Sequence, residues 1–358
     1  LRNYIRSVAN SEIAFMQRCI ELAALGEGMV APNPLVGSVI VHNHAIIGEG
    51  FHRKFGGAHA EVNAIRSVQN PALLADSALY VNLEPCVHHG KTPPCVDLIL
   101  ECGIKKVVIA HADPNPMVGG MGIAKLREAG VEVISGILEN EARFLNRRFI
   151  SFHALHRPFV VLKWAQTRDG LIDRKRDGEK GVNWITSPEV QPLVHLWRSQ
   201  EMAILVGRRT IEIDDPQLSV RTVIGRQPVR LVLDPMGMIT SDHKIQNDDG
   251  TTFIFSYEGS IAADNRRIFI NRTSDFLPAV LQHLYQLNIQ SILVEGGAAT
   301  INHFIHQNLW DEARIIYGNV SFGEGLAAPE IGLQPTSVSN YANHIYETYF
   351  RGIEFKTR

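Results

Sequence analysis

The sequence predicts an α/β protein of two domains, on three observations. Its 358 residues exceed what one core usually fills, since single cores stop growing near about 250–300 residues. Runs rich in β-formers alternate with runs of helical period along most of the chain, the pattern of sheets crossed by helices. The pattern restarts at Pro158 after a long helical run, so the boundary is expected between residues 150 and 157, with domains of 1–153 and 154–358.

The elements follow in order. "SEIAFMQRCIELAAL" places Ile13, Met16, Cys19, Ile20, Ala23 and Ala24 at helical spacing behind a Ser11 cap. The turn "APNP" leads to "LVGSVIVHN" and "AIIGEGF", two strands of a hairpin that turns at His42 to His44. "AHAEVNAIRSV" is a helix, "SALYVNLE" a strand, "CVDLILECG" a short helix closed by Gly103, and "KKVVIA" a strand. "GIAKLREAG" is a helix closed by Gly130, "VEVIS" a strand, and "NEARFLNRRFISFHALH" one helix up to the boundary. The second half opens with the strand "FVVLKWA" and a polar arm, "RDGLIDRKRDGEKGVNW", read as a solvated loop because acidic neighbours dilute its basic run. A helix over 188–199, strands "MAILVG", "VRLVLD" and "TTFIFS", a helix over 277–286 and the strand "SILVEGG" complete the alternation.

Composition narrows the function classes. With 45% apolar and 20% charged residues and a net charge of -2, the chain reads as soluble and globular, with nothing that advertises a nucleic acid or a membrane as partner. No run of eighteen apolar residues occurs and the first residues lack a secretion signal, so the cytoplasm is expected. Four cysteines, at 19, 86, 95 and 102, are too sparse for a disulfide scaffold. Metal ligation or plain burial therefore ranks above cross-linking for the two in "NLEPCVHHGKTPPC".

Those two, Cys86 and Cys95, have companions in "HAE", His59 and Glu61, at the start of the preceding helix. A crossover sets the two helix starts side by side, which collects one imidazole and two thiolates. Zinc on three N/S ligands keeps its fourth tetrahedral position for water, the catalytic arrangement. Glu61, left unligated, is then placed to shuttle protons. Two buried thiols beside a surface histidine remain an alternative. So does a closed structural zinc with His88 or His89 as fourth ligand, which leaves Glu61 without a role. The order His-x-Glu, Pro-Cys, Cys is that of the zinc nucleobase deaminases, and the half resembles the cytidine deaminase superfamily.

Eight residues, "VHHGKTPP", separate the cysteines, where nucleic-acid-editing relatives have two. "PCVHHGKTPPC", with "APNPLVGSVIV" and "GFHRKFGGAHAEVNAI", resembles the deaminase half of the bifunctional riboflavin-biosynthesis deaminase–reductases. The resemblance implies a cytidine-deaminase-like α/β/α domain that holds Zn2+ on His59, Cys86 and Cys95, with Glu61 as acid and base. It also implies that Asn33, His88 and Lys91 contact a diaminopyrimidinone bearing a ribosylamino 5'-phosphate, whose exocyclic amine is hydrolysed. Asn33, taken alone, reads equally as a turn residue between two prolines. Val87 departs from the small polar residue usual in that family.

The second half has no G-x-G-x-x-G fingerprint of the common dinucleotide fold. In "LVEGGAATINHF" a strand delivers Glu295 to its end, and Gly296 and Gly297 allow close backbone approach ahead of a helix N-terminus suited to phosphate. Tight packing alone accounts for such a glycine pair equally well. Together with "KWAQTRDG" and "VGRRTIEIDDPQLSVR", the segment resembles the reductase half of the same family, an α/β domain similar to dihydrofolate reductase.

What that resemblance implies is specific. NADPH is lined by Ala165, Trp184, Thr210 and Asp214, with Gly297, Ala298, Ala299, Thr300, Ile301, Asn302 and His303 under its phosphates. Arg198, Leu218, Arg221 and Glu295 face the substrate, and the two arginines suit its 5'-phosphate. Lys163 and Glu295 act at the sugar, which is reduced from ribosyl to ribityl. The partners are small molecules, and the family forms a homodimer through the second domain. Two departures stand out: "GEKGVNW" puts Val182 or Asn183 where a serine is usual, and Arg209 replaces a small residue. They leave open a deaminase with an inactive reductase-like domain. A structural or RNA-associated zinc protein is the remaining rival.

Overall fold

The computed structural model describes residues 2–87, 93–114, 119–261 and 266–352, with side chains from residue 11 onward. It divides at Leu155/His156 into two compact units.

In the first unit α1 (Arg2–Ala24) precedes β1 (Gly37–His42) and β2 (Ala45–Phe51), which pair antiparallel. Asn43 and His44 make the turn with φ of 47° and 61°, the left-handed pair whose twist matches a two-residue hairpin. Then come α2 (Ala60–Ser67), β3 (Ala78–Leu83), α3 (Cys95–Glu101), β4 (Lys106–His111), α4 (Met121–Glu128) and β5 (Glu132–Ser135). The sheet runs β2-β1-β3-β4-β5, parallel from β3 onward. Alternation along its strands supplies two cores. Val39, Tyr80 and Val108 meet Met16, Cys19 and Leu22 of α1, while Ile40, Leu79 and Val107 meet Ala64 of α2, Ile99 of α3 and Leu126 of α4. The result is an α/β/α sandwich. Parallel pairing of β3 and β4 carries each following segment to one edge of the sheet, and the first helical turns gather there.

The single helix expected over "NEARFLNRRFISFHALH" is two, α5 (Glu139–Leu145) and α6 (Arg147–Leu155). Asn146 breaks it. Its buried amide accepts from the Leu35 N–H at 2.8 Å and donates to the Leu35 carbonyl at 2.9 Å, a task that outweighs helical continuity.

The second unit begins with β6 (Phe159–Gln166) and β7 (Leu171–Arg174), then α7 (Gln191–Gln200), β8 (Ala203–Gly207), α8 (Arg208–Asp214), β9 (Val229–Leu233), β10 (Thr252–Tyr257), β11 (Arg267–Ile270) and α9 (Phe276–Gln286). After these follow β12 (Ser291–Val294), α10 (Ala298–His306), β13 (Glu312–Tyr317), β14 (Gly325–Ala327), β15 (Ser337–Tyr341) and β16 (His344–Phe350). Nine strands form one sheet in the order β11-β10-β9-β8-β12-β6-β13-β16-β15. It is parallel as far as β13, and β16 pairs antiparallel on both sides. Alternate residues of β6 feed opposite faces: Val160 and Leu162 pack with α9 and α10, Phe159 and Val161 with Trp197 of α7.

Strands β13 to β16 and the short α8 lay outside the sequence expectation. Their residues explain why: β15 is largely exposed, and β13 opens on Glu312 and Arg314, which pair with each other in the core at 2.6 Å. Neither gives an uninterrupted apolar signal. Inserted between β8 and β6, β12 makes a reversal of strand order, and ligand crevices in open parallel sheets form at the carboxyl ends beside such a reversal.

Candidate active sites

In the first unit three donors converge. His59 caps the start of α2, Cys95 opens α3, and Cys86 lies just past the end of β3. His59 Nδ1 is 3.2 Å from Cys95 Sγ and 3.5 Å from Cys86 Sγ, and all three donor atoms lie within 4.8 Å of one another. Both cysteines are free thiols, which removes the disulfide alternative. Charge is already concentrated on one sulfur: hydrogen bonding from Cys95, opposed by burial and helped by His59, holds the Cys86 thiol down at about 4, and Cys95 is pushed up correspondingly. One nitrogen and two sulfurs gathered this closely fit a three-ligand zinc site.

Glu61, in the first turn of α2, is buried. Burial first, and then the Cys86 charge, push its carboxyl up to about 7. A group poised there exchanges protons readily near neutral pH. Asn33 is bound through Nδ2 to His52 Nε2 at 3.1 Å, and His52 Nδ1 meets the Ala58 carbonyl at 3.0 Å. The His52 ring stands edge-on to His59 with centroids 5.7 Å apart, so Asn33 reaches the cluster through one intermediary. Sequence reasoning passed over His52, although it lies seven residues before His59 in a quoted motif. His88 and Lys91 lie outside the described residues.

In the second unit a cavity of about 840 Å3 opens at the carboxyl ends of β6, β8 and β12. Lys163, Ala165, Trp184, Thr210, Asp214 and Glu295 line it, together with Gly297, Ala298, Ala299, Thr300 and His303. The expected run 297–303 narrows, because only one face of a helix can line the cavity. Ile301 is fully buried in the core with Phe304, and Asn302 is absent from the wall. Glycine is required at the junction: a Cβ on Gly296 would meet Gly207 N at 2.9 Å, and one on Gly207 would meet Thr300 Oγ1 at 2.4 Å. That closeness lets the Gly297 N–H reach the Thr210 hydroxyl at 3.2 Å, while no side chain caps α10. A large cleft with a glycine-lined floor and an uncapped helix start fits a dinucleotide such as NADPH.

At the inner end Arg198 closes its fork on Glu295, at 2.9 and 2.7 Å, and Lys163 Nζ lies 4.0 Å from the same carboxylate. Burial disfavours ionisation of Glu295, yet Arg198 and Lys163 overcome it and hold the group at about 2. Burial likewise lowers Lys163 from its ordinary value. Arg198, Leu218 and Arg221 stand outside the cavity wall; Arg198 is committed to Glu295, and Leu218 is buried. Arg221 is exposed and bonds the Ser219 hydroxyl at 2.7 Å. The polar arm is not wholly solvated. Asp173 and Arg176 form an ion pair at 2.6 Å in the wall, and Asn183 donates to Asp173 at 2.8 Å. Part of the arm is strand β7, paired antiparallel with β14 at Asp173 and Leu326, where the sequence read a solvated loop; its charged residues gave no apolar alternation to mark it.

Comparison with known proteins agrees with both sites. Residues 9–111 match the family described as the cytidine and deoxycytidylate deaminase zinc-binding region, and residues 158–346 match the RibD C-terminal domain. The riboflavin biosynthesis protein RibD of Aquifex aeolicus is 38% identical over 327 residues, covering 89% of this chain and 90% of the relative. That of Bacillus amyloliquefaciens is 39% identical over 327 residues, with 88% and 86% covered. Among solved structures, a diaminohydroxyphosphoribosylaminopyrimidine deaminase/5-amino-6-(5-phosphoribosylamino)uracil reductase of Thermotoga maritima superposes with a TM-score of 0.84 at 38% identity, covering 95% of this chain and 98% of that one. Acinetobacter baumannii RibD gives 0.86 at 32% identity, covering 96% and 99%. The chain therefore belongs to the RibD family of riboflavin biosynthesis, bifunctional enzymes that pair a zinc-dependent deaminase with an NADPH-dependent reductase.

Proposed function

We propose that the first unit hydrolyses the exocyclic amine of the diaminohydroxyphosphoribosylaminopyrimidine and that the second reduces the ribosyl group of the resulting 5-amino-6-(5-phosphoribosylamino)uracil to ribityl, the two substrates named for the Thermotoga maritima relative. The observation that carries this reading is the cluster of His59, Cys86 and Cys95 beside a buried Glu61. Those three residues hold the zinc, which when bound supplies a water nucleophile active near neutral pH. Glu61 would take one proton of the attacking water and pass it to the ring nitrogen, then take the second from the hydroxyl left on the ring carbon and pass it to the departing amine, so that one water is consumed and one ammonia released. Its carboxyl near 7 supports both directions of transfer. Asn33, oriented by His52, faces the pyrimidine, and His88 and Lys91 are assigned to the phosphorylated substrate by resemblance.

In the second unit NADPH, when bound, supplies the hydride for the sugar carbon. Ala165, Trp184, Thr210, Asp214 and the residues from Gly297 to Thr300, with His303, form its bed. Lys163 is the group that carries a proton to the sugar oxygen, because burial weakens its hold on that proton. Glu295 stays ionised beside Arg198 and orients the site instead. The same reading takes the substrates to be free small molecules rather than nucleic acid, which a net charge of -2 supports. It also places the enzyme in the cytoplasm and expects a homodimer; no described helix is long and apolar enough to cross a membrane.

The test follows ammonia release and NADPH oxidation separately in wild type, Glu61→Gln and Glu295→Gln. Glu61→Gln is expected to lose at least about a hundredfold in ammonia release and to keep its reduction of pre-deaminated substrate. Deamination by Glu61→Gln at the wild-type rate would sink the assignment.

A further inference from the structure

Residues 219–222, between α8 and β9, belong to no regular element, yet side chains from elsewhere hold their backbone at every position. Arg198 Nη1 donates to the Ser219 carbonyl at 3.1 Å. Gln227 accepts from the Val220 N–H at 2.8 Å and donates to the Val220 carbonyl at 2.7 Å. The N–H groups of Arg221 and Thr222 both donate to a single atom, His195 Nδ1, at 2.9 and 3.1 Å. Two donors on one ring nitrogen decide the tautomer: Nδ1 carries the lone pair and Nε2 the proton.

His195 and Arg198 share one face of α7 at helical spacing, and both serve this segment. Three residues beyond the segment, Gly225 packs closely on Ser199 of the same face, since a Cβ on Gly225 would meet the Ser199 Cβ at 2.5 Å. Just upstream, Leu218 is buried with φ of 53°, a left-handed conformation that a branched residue keeps only where its surroundings over-determine it. The exposed product of this bracing is the Arg221 guanidinium joined to the Ser219 hydroxyl. Arg198, the other arginine of the region, is committed to Glu295.

We propose that His195 is a positioning residue for the reductase: by holding the N–H groups of Arg221 and Thr222 on its bare Nδ1, it presents Arg221 and the Ser219 hydroxyl as the grip for the substrate's phosphate. The inference rests on the reductase reading of the adjoining cavity. It requires a neutral ring, because a protonated Nδ1 would oppose N–H to N–H. Burial first, then Arg198 on its own helix and Arg221 on the segment, with Lys163 of β6 adding to them and Glu295 opposing, hold His195 down at about 4. The ring therefore stays neutral at working pH.

The test compares His195→Leu, His195→Asn and Arg221→Ala with wild type, on the deaminated ribosylaminouracil phosphate and on its dephosphorylated counterpart. His195→Leu is expected to raise KM for the phosphorylated substrate about tenfold or more, with kcat held within about threefold. Its KM for NADPH and for the dephosphorylated substrate should stay at wild-type values. Asparagine offers an acceptor where Nδ1 stood and should recover most of the loss. A fall in kcat at constant KM overturns the proposal, as does an equal rise in KM for both substrates or an Asn variant as impaired as Leu. Where His195→Leu does not fold, Arg221→Ala decides: a selective rise in KM for the phosphorylated substrate supports the proposal, and an unchanged KM overturns it. Wild type that oxidises no NADPH with either substrate overturns the reductase reading itself, an outcome distinct from all of these.

Discussion

Asp214 sits in the wall of the reductase cavity with its carboxyl pushed up to about 6, chiefly by burial, while Arg176 at 3.9 Å pulls the other way. Glu295 is buried too, but two cations at close range win there and hold it at about 2. The contrast decides what each can do, since Glu295 is a fixed negative charge and Asp214 titrates. In an unfolded chain an aspartate titrates near about 3.9. Between that value and 6 the folded protein binds a proton that the unfolded chain does not, so this group's stabilising contribution is complete at the acid end and lost as pH rises through 6. Asp214→Asn should therefore stabilise the second unit at pH 8 by about 1 kcal/mol, a figure discounted for the solvent that reaches the group. The gain should shrink as pH falls from 6 toward 4. Urea denaturation at pH 5 and pH 8 measures it, and a variant less stable than wild type at pH 8 refutes the account.

At the scale of elements, polar side chains and glycines decide where helices stop and how closely strands approach. Asn146 ends α5 and turns the chain into α6 because both halves of its amide are engaged by Leu35. Replacing it with alanine leaves a buried N–H without its acceptor, a loss of about 2–3 kcal/mol. The urea midpoint for loss of deaminase activity should fall accordingly, and an unchanged midpoint would mean that Leu35 finds other partners. In the second unit α7 shows the same division of labour on two faces. Leu193 and Trp197 bind it to the sheet, while His195 and Arg198 brace the segment over 219–222.

On the scale of the whole molecule, two units carry two chemistries with separate sets of site residues. The candidate zinc donors lie at the starts of α2 and α3 and in the loop after β3, all in the first unit, and every residue lining the large cavity belongs to the second. Stripping the metal with a strong chelator should abolish ammonia release and leave NADPH oxidation on deaminated substrate within about twofold of its starting rate. Restored zinc should restore the first activity alone. A parallel loss of both activities would show that the metal also supports the reductase.

The sequence by itself determined the two-part α/β organisation, because strand and helix periods are local, and it marked the cluster of His59, Cys86 and Cys95 with Glu61 beside it, because these residues stand in short motifs at strand ends and helix starts. It also marked Gly296, where the close approach of Gly207 needs a residue without a Cβ. Only the tertiary structure decided the rest. The Asn146 break answers to Leu35, 111 residues away, the Arg198 fork to Glu295, 97 away, and the His195 acceptor to Arg221, 26 away. The polar arm joins the cavity through Asp173, Arg176 and Asn183 although its own residues read as solvated. Hydrogen bonds between distant residues leave no period in the sequence, so the partners that aim each catalytic group emerge only once the sheet has brought them together.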